Sequence, residues 1–377
     1  MAERVVLHVG AMKSGTSYIQ GQLFVNKDAL AEQGVLVPGR DWGHQVSGVL
    51  DVLGKLRYGR DRVDGSWQKL LDEIDAWPGT AVVSMEFLGP VSRDKVGQVV
   101  STLSDTHVSV VLTARDLNRS IAAMWQETVQ NGRWWTWEEY LDGLQRARPR
   151  PERTEADITK AGRTFWRQQN VVRISRFWGR AEGVADYSFV TVPAPGAAPE
   201  LLMQRFGEVV GFTADELMPG PRANASLGAA SAEALRRINA NLAEQGLEFP
   251  IGARLRKHVL AKEVLAARSG EEPKIGLPIA PWVHEYAKHM VAELQDLGIE
   301  PVGAWSDLEP VPVSGIDPGT LAEEDVHAAA RAGLTGIRPR LEAELGREWP
   351  TDVAGGRAVT ELAGVVAESV RRPSNAW

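Results

Sequence analysis

Along the first half of the chain, short apolar runs without strict alternation are each followed by stretches with three- and four-residue apolar spacing. Arg4-Val5-Val6-Leu7-His8-Val9 is the first such run and ends at Gly10. Its β-branched, non-alternating character suits a strand buried on both faces of a parallel sheet. From Ser17 the spacing turns helical, with Ile19, Leu23, Leu30 and Ala31 in phase until Gly34 interrupts it. Further strands are expected at Ala81–Met85 after the turn Pro78-Gly79, at Val108–Leu112 after the polar segment Ser104–His107, at Val171–Ile174 and at Phe189–Val192. Pro193-Ala194-Pro195-Gly196 stops the last of these. The alternation predicts a three-layer α/β fold with a mostly parallel sheet. Past about residue 220 strands become scarce. Helical patterns cover 231–245, 252–268 and 281–297, a Pro-rich link runs from Pro301 to Pro318, and the Ala- and Glu-rich stretch 320–370 reads as a helical lid or packing element. The expected organisation is an α/β core over 1–220, a helical part of the same domain over 221–310 and a helical tail over 311–377. There is no internal repeat.

Composition narrows the classes of function. With 377 residues, 44% hydrophobic and 24% charged, the chain matches folded globular proteins and not disordered or fibrous ones. A formal charge of −7 repels a phosphate backbone, so nucleic acid is not an expected partner. The absence of cysteine removes disulfides, thiolate metal sites, Fe–S clusters and cysteine nucleophiles. No signal peptide and no membrane span are expected, because the opening apolar run is short and nowhere do eighteen apolar residues follow one another; this predicts a cytoplasmic protein.

The stretch with most chemical content is His8–Gln20, where Lys13-Ser14-Gly15-Thr16-Ser17 lies between the first strand and the first helix. Consecutive loop N–H groups can face an anion only in backbone conformations that glycine permits, and the helix N-terminus adds a positive dipole end. Gly10 and Gly15 have the GxxxxG spacing of a nucleoside triphosphatase loop, giving a P-loop-like reading. Thr16, however, stands where that loop has its lysine, and Lys13 lies two places before the second glycine. Nor does an apolar run end in the Asp that would hold Mg²⁺: the run at 81–85 leads into Glu86, and that at 108–112 into Thr113-Ala114-Arg115.

Lys13-Ser14-Gly15-Thr16-Ser17 resembles the 5′-phosphosulfate loop of sulfotransferases that use 3′-phosphoadenosine 5′-phosphosulfate (PAPS). Thr113-Ala114-Arg115-Asp116-Leu117 resembles that family's 3′-phosphate motif, which has an Arg at a strand end before a helix. Similarity is greatest to bacterial, especially actinobacterial, members with HxGxxKTGTT-like openings, a Ser-x-Glu strand end, TARD and WQE segments and an RxNxSLG stretch. It spans roughly residues 4–310 and is weaker after 200. The resemblance implies that Lys13 contacts the phosphosulfate and opposes charge on the bridging oxygen, and that Ser14, Gly15, Thr16 and Ser17 cradle the 5′-phosphate. It further implies that Tyr18 stacks on adenine, that Arg115 grips the 3′-phosphate, and that Arg222 assists with the nucleotide. One position departs: the serine usual eight residues after the Arg is Ala123 here, with Ser120 as its substitute or as an ordinary helix serine.

Sulfuryl transfer also needs a group to take the acceptor's proton. Glu86 at a strand end is the first choice, matching the Ser-x-Glu segment; the alternative is a carboxylate that caps the next helix or pairs with an Arg. His44, expected in a loop after Pro38-Gly39, could orient the acceptor or serve as the base. His258, His284 and His289 lack metal-ligand spacing, so no metal is assigned. Trp134, Trp135 and Trp137 line an acceptor cleft or pack a core, and Ser226 reads as a helix cap. The resulting expectation is an enzyme, a PAPS-dependent sulfotransferase acting on a hydroxyl or amine of a small-molecule acceptor such as a natural-product intermediate. An ATP-dependent small-molecule kinase and a non-enzymatic nucleotide-binding protein are the alternatives.

Overall fold

The computed structural model describes residues 2–57, 61–220, 226–345 and 357–371. The described residues form two compact units, each built from separate stretches of chain: the first from within 1–120, 164–223 and 279–311, the second from within 121–163, 224–278 and 312–377.

The first unit holds a six-stranded, all-parallel sheet of β1 (Arg4–His8), β2 (Val35–Leu36), β3 (Thr80–Ser84), β4 (His107–Ala114), β5 (Val184–Thr191) and β6 (Pro301–Val302), in the order β2-β3-β1-β4-β5-β6. β1 is central, with Val6 in register between Val82 of β3 and Ser109 of β4. Its run is apolar on both faces because both are covered. On one face α1 (Thr16–Val25), α2 (Lys27–Glu32) and α10 (Leu201–Val210) bury Val6, Val82, Val111 and Val190 under Ile19, Leu23, Leu30 and Phe206. On the other, Tyr187 of β5 meets Ser175 of α9 (Val171–Trp178), hydroxyl to hydroxyl at 2.6 Å. α12 (Pro281–Asp296) packs on α9 through Arg176 and Glu293 at 2.8 Å. Helices on both faces of a parallel sheet make the expected three-layer α/β fold.

One expected strand is a helix. Val171–Ile174 opens α9, whose buried residues Val171, Val172, Ile174, Ser175 and Trp178 follow helical spacing. The Asn170 side chain caps it by accepting from the Arg173 N–H at 2.9 Å. A four-residue run with three β-branched residues cannot by itself distinguish a strand from the first turn of a buried helix. β2 is only two residues long, so beyond Ala81 β3 is paired with β1 but has no strand on its other edge. A side chain completes the ladder: Gln45, fully buried on α3 (Trp42–Val52), accepts from the Ser84 N–H at 2.9 Å and donates to the Val82 carbonyl at 3.3 Å and the Pro38 carbonyl at 3.0 Å.

The second unit is mainly helical. Its elements include α7 (Trp137–Arg146), α11 (Ala229–Glu244), a π-helical stretch Arg254–Leu265, α13 (Glu323–Leu345) and α14 (Ala358–Arg371), so the tail carries the expected helices. Trp137 is core: it packs edge-on to Trp125 at 5.2 Å and stacks on Tyr140 at 6.0 Å. The cap of α11 is Gly228 and not Ser226, which is exposed before the helix, and Glu272 accepts from the Ser231 N–H at 2.7 Å. Among the described residues no helix is long and apolar enough to cross a membrane.

Replacing Gln45 by Leu keeps volume but orphans one buried N–H and two carbonyls. Urea unfolding is expected to show a loss of about 2–4 kcal/mol, since each unsatisfied buried group costs about 1–3 kcal/mol and partial relaxation recovers some of it. A loss below about 0.5 kcal/mol, within the range of neutral surface changes, contradicts the role of Gln45 as a substitute strand.

Candidate functional site

The β1–β4 ladder does not end with the strands. Val9 N–H donates to the Val111 carbonyl at 2.9 Å, Ala11 N–H to the Thr113 carbonyl at 2.7 Å, and Thr113 N–H to the Gly10 carbonyl at 2.6 Å. These bonds hold the start of the Gly10–Gly15 loop beside Thr113-Ala114-Arg115. The place is a topological switch point, because the chain leaves β1 toward β3 and β2 but leaves β4 toward β5 and β6. Open α/β sheets form their ligand crevice at such a point, outside the strands' carboxyl ends.

The loop turns through positive φ at Gly10 (118°), Lys13 (60°) and Gly15 (78°). Among the described residues Lys13 alone adopts positive φ without being glycine, a conformation that costs about 1–2 kcal/mol and concentrates at functional sites. At Gly15 the neighbour enforces the choice, since a Cβ would lie 2.4 Å from Leu202 Cδ2. α1 then starts with no acidic residue in its first turn, so no carboxylate of its own competes for the helix N-terminus. Gln169 at the end of α8 (Lys160–Gln169) fastens the loop from outside, donating to the Met12 carbonyl at 2.7 Å.

Under the loop His8 is completely buried, its ring edge-on to Phe206 at 5.1 Å. Nδ1 lies 2.7 Å from Ser84 Oγ and Nε2 3.2 Å from Thr113 Oγ1. Thr113 Oγ1 donates its proton to the Gly10 carbonyl at 3.0 Å, so it accepts from His8 Nε2–H, and His8 Nδ1 in turn accepts from the Ser84 hydroxyl. The directed chain from β3 through β1 to the loop requires a neutral imidazole. Burial drives the His8 pKa down to about 3, partly opposed by its interaction with the Gly10 backbone.

Arg115 follows β4. Its Nη2 donates to the Arg119 carbonyl at 2.9 Å, while its Nε is buried with no partner. Burial, and then the neighbouring Arg119, lower its pKa to about 10, with Asp116 acting the other way. Asp116 is nonetheless committed elsewhere: fully buried, it pairs with the Arg119 side chain and accepts from the Arg119 N–H at 3.0 Å at the start of α6 (Leu117–Gln130). Arg115 therefore has no carboxylate partner among the described residues. Ser120, one turn into α6, and Ser14 in the loop are both buried with hydroxyls that find no partner. Buried polar atoms are almost always hydrogen-bonded, so Ser14 Oγ, Arg115 Nε and Ser120 Oγ form an incomplete set on the elements around the switch point.

Glu86, two residues past β3, lies against the loop: a Cβ on Gly10 would be 3.5 Å from Glu86 Cβ. Among the described residues it neither caps a helix nor pairs with an Arg. Gln20, buried on α1, donates through Nε2 to Glu86 Oε2 at 2.8 Å and to the Ser84 carbonyl at 3.1 Å, and Oε1 has no partner among the described residues. Thus Lys13, Ser14, Gly15, Glu86, Arg115 and Ser120 all stand on the segments that follow β1, β3 and β4.

Other expected residues stand differently. Thr16 is buried and Ser17 exposed at the start of α1. Tyr18 is partly buried against the apolar cluster under α1, where desolvation and the nearby Glu200 raise its pKa while a bond to Gln22 lowers it. His44 is not in a loop: it lies in the first turn of α3, exposed and 3.1 Å from Asp41, because Asp41 starts the helix three residues earlier. Arg222 lies outside the described residues. Among those described, no group of three or more His, Asp or Glu is arranged to hold a metal. Sequence reasoning missed Gln20, Gln45, Gln169 and the strut role of His8; a polar residue inside an apolar period was the only available signal. The chain matches no known family model, no curated protein and no solved structure.

The buried His8 sets a pH dependence. Below its ordinary pKa of 6.5 the unfolded chain binds a proton that the native state refuses until about pH 3, so stability rises with pH across that window and levels off above it. His8→Asn is expected to unfold more readily at pH 7 yet lose less on acidification. Its urea-derived stability should fall between pH 6 and 4 less steeply than the wild type's, by up to about 1.4 kcal/mol per pH unit. Equal slopes contradict a neutral buried His8.

Proposed function

We propose that the chain is a PAPS-dependent sulfotransferase that moves a sulfuryl group to a hydroxyl or amine of a small-molecule acceptor. The observation that carries this reading is the pairing of the Gly10–Gly15 loop with Arg115 across one ladder, each side presenting buried polar atoms without partners. A nucleotide with phosphates at both ends would satisfy that set. Its 5′ end would meet Lys13, Ser14 and the N–H groups around Gly15, Thr16 and Ser17, and its 3′-phosphate would meet Arg115. Ser120 would take over from the residue missing at Ala123, and its buried hydroxyl, without a partner among the described residues, supports that assignment. Lys at 13 with Thr at 16 disfavours the ATP-dependent kinase alternative. A cytoplasmic location belongs to the same proposal.

PAPS supplies the sulfuryl group, and transfer releases an anionic leaving nucleotide. In this reading Lys13, Arg115 and the loop amides oppose that charge. Glu86 takes the acceptor's proton on its free Oε1, while Gln20 holds Oε2 and fixes the carboxylate's orientation without neutralising it.

Calorimetry is expected to show 3′-phosphoadenosine 5′-phosphate binding without added metal and far more tightly than AMP. Arg115→Ala should weaken it about ten- to a hundredfold, the equivalent of one hydrogen bond to a charged group. Equal affinity for the two nucleotides, or an absolute need for Mg²⁺, overturns the assignment.

With an accepted acceptor in hand, Glu86→Gln should preserve nucleotide binding and cut transfer about 10²–10⁴-fold. Lys13→Ala should lose turnover more than affinity, because the charge it opposes grows during transfer. Near-normal turnover of Glu86→Gln alongside an inactive His44→Ala would reverse the roles of those two residues.

A further inference from the structure

We propose that Lys55, Lys95, Arg167 and Arg173 form a subsite for an anionic group, a carboxylate, sulfate or phosphate, carried by the acceptor. Its assignment to the acceptor rests on the sulfotransferase reading; anion binding there does not. The chain is acidic overall, yet between Asp157 and Glu182 it has Lys160, Arg163, Arg167, Arg173, Arg176 and Arg180 with no Asp or Glu. Arg176 is neutralised by Glu293 at 2.8 Å. Arg167 and Arg173 are not neutralised. Arg173 Nη2 donates to the backbone carbonyl of Arg167 at 3.1 Å, its Nε is buried without a partner, and its guanidinium lies 4.9 Å from the Phe177 ring centroid. Arg93 of α5 (Arg93–Ser101) approaches the same ring at 5.4 Å, which brings α5 and its Lys95 to this side. A Cβ on Gly54 would be 3.9 Å from Lys95 Nζ, so the segment carrying Lys55 runs against Lys95. Lys95 bonds only the neutral Gln98, at 2.8 Å, and Asp94 beside it makes no ion pair with any of the four. The side chains of Lys55 and Arg167 have no partner among the described residues.

Gathering cations without a counter-charge is unfavourable. Burial followed by the charges of Arg167 and Lys95 lowers the Lys55 pKa, and burial followed by Arg167 lowers that of Arg173. An anion relieves both penalties, and guanidinium groups suit planar or tetrahedral oxyanions. Arg167 stands within one helical turn of Gln169, which bonds the loop at Met12, so the cluster lies close to the loop's anchor along α8.

The test uses full-length protein and inorganic pyrophosphate as probe, first in a Lys13→Ala/Arg115→Ala background, where the two cations of the loop site no longer add to binding and only its backbone N–H groups remain. Saturable binding is expected there. Adding Lys55→Ala and Arg167→Ala, both at exposed positions, should weaken it by about tenfold or more, as expected for losing charge-assisted bonds. The same two substitutions in the otherwise native chain should leave affinity for 3′-phosphoadenosine 5′-phosphate within about twofold, because surface charges beyond contact are largely screened. No saturable pyrophosphate binding in the first background, or binding indifferent to Lys55 and Arg167, overturns the subsite. If pyrophosphate binds at the cluster but 3′-phosphoadenosine 5′-phosphate does not bind the native chain, the sulfotransferase reading falls and the anion site stands.

Discussion

The continuation of the β1–β4 ladder past both strands is the constraint on which the site depends. Three backbone bonds carry the pairing through Val9, Ala11 and Thr113, so the loop leaves the sheet at a defined height beside Arg115. His8 makes that height rigid. Ser84, His8 and Thr113 share one face of the sheet on three neighbouring strands, and their protons run in a single direction to the Gly10 carbonyl. A protonated imidazole would need two acceptors. It would find Thr113 Oγ1 still able to accept, but it would force Ser84 to turn its lone pair where it now points its proton. Desolvation and hydrogen-bond direction therefore demand the same neutral ring.

Asp116 and Arg115 illustrate how a fold can keep a cation available. The acid beside Arg115 in sequence is turned inward and consumed by the start of α6 and by Arg119. Had it paired with Arg115, an incoming anion would have to displace a carboxylate from a buried site, losing much of what it gains. The cost of the observed arrangement is an Arg115 Nε and the hydroxyls of Ser14 and Ser120 left without partners among the described residues.

Much of this was legible in the sequence, and the failures have physical causes. β1, β3 and β4 were readable because strands buried on both faces are continuous apolar runs, and the loop was readable because glycine and lysine spacing reports backbone geometry. Val171–Ile174 reads as a strand because a four-residue run with three β-branched residues fits two periods, and whether Asn170 caps a helix there depends on the side-chain bond it makes to the Arg173 N–H. β2 and β6 have two residues each, too short for any period. His44 was placed in a loop since Pro38-Gly39 precedes it, but Asp41 starts a helix in between. Gln20, Gln45 and Gln169 leave only the weak signal of a polar residue inside an apolar period, because an amide can belong to a surface or to a buried ladder, and only its partners distinguish the two. Nor could composition reveal that each compact unit is assembled from three separated stretches.

The glutamines share a logic with the charge pattern. Gln45 replaces backbone pairing at Ser84, Gln20 orients Glu86, and Gln169 pins Met12; each fixes an atom beside the site without bringing in charge. A lysine or arginine in place of Gln20 would hold Glu86 equally well but would cancel its negative charge. A carboxylate there would repel Glu86 and any phosphate approaching the loop. A neutral fastener therefore leaves the charge of Glu86 uncompensated by the group that holds it, so orientation and charge are set independently at this position.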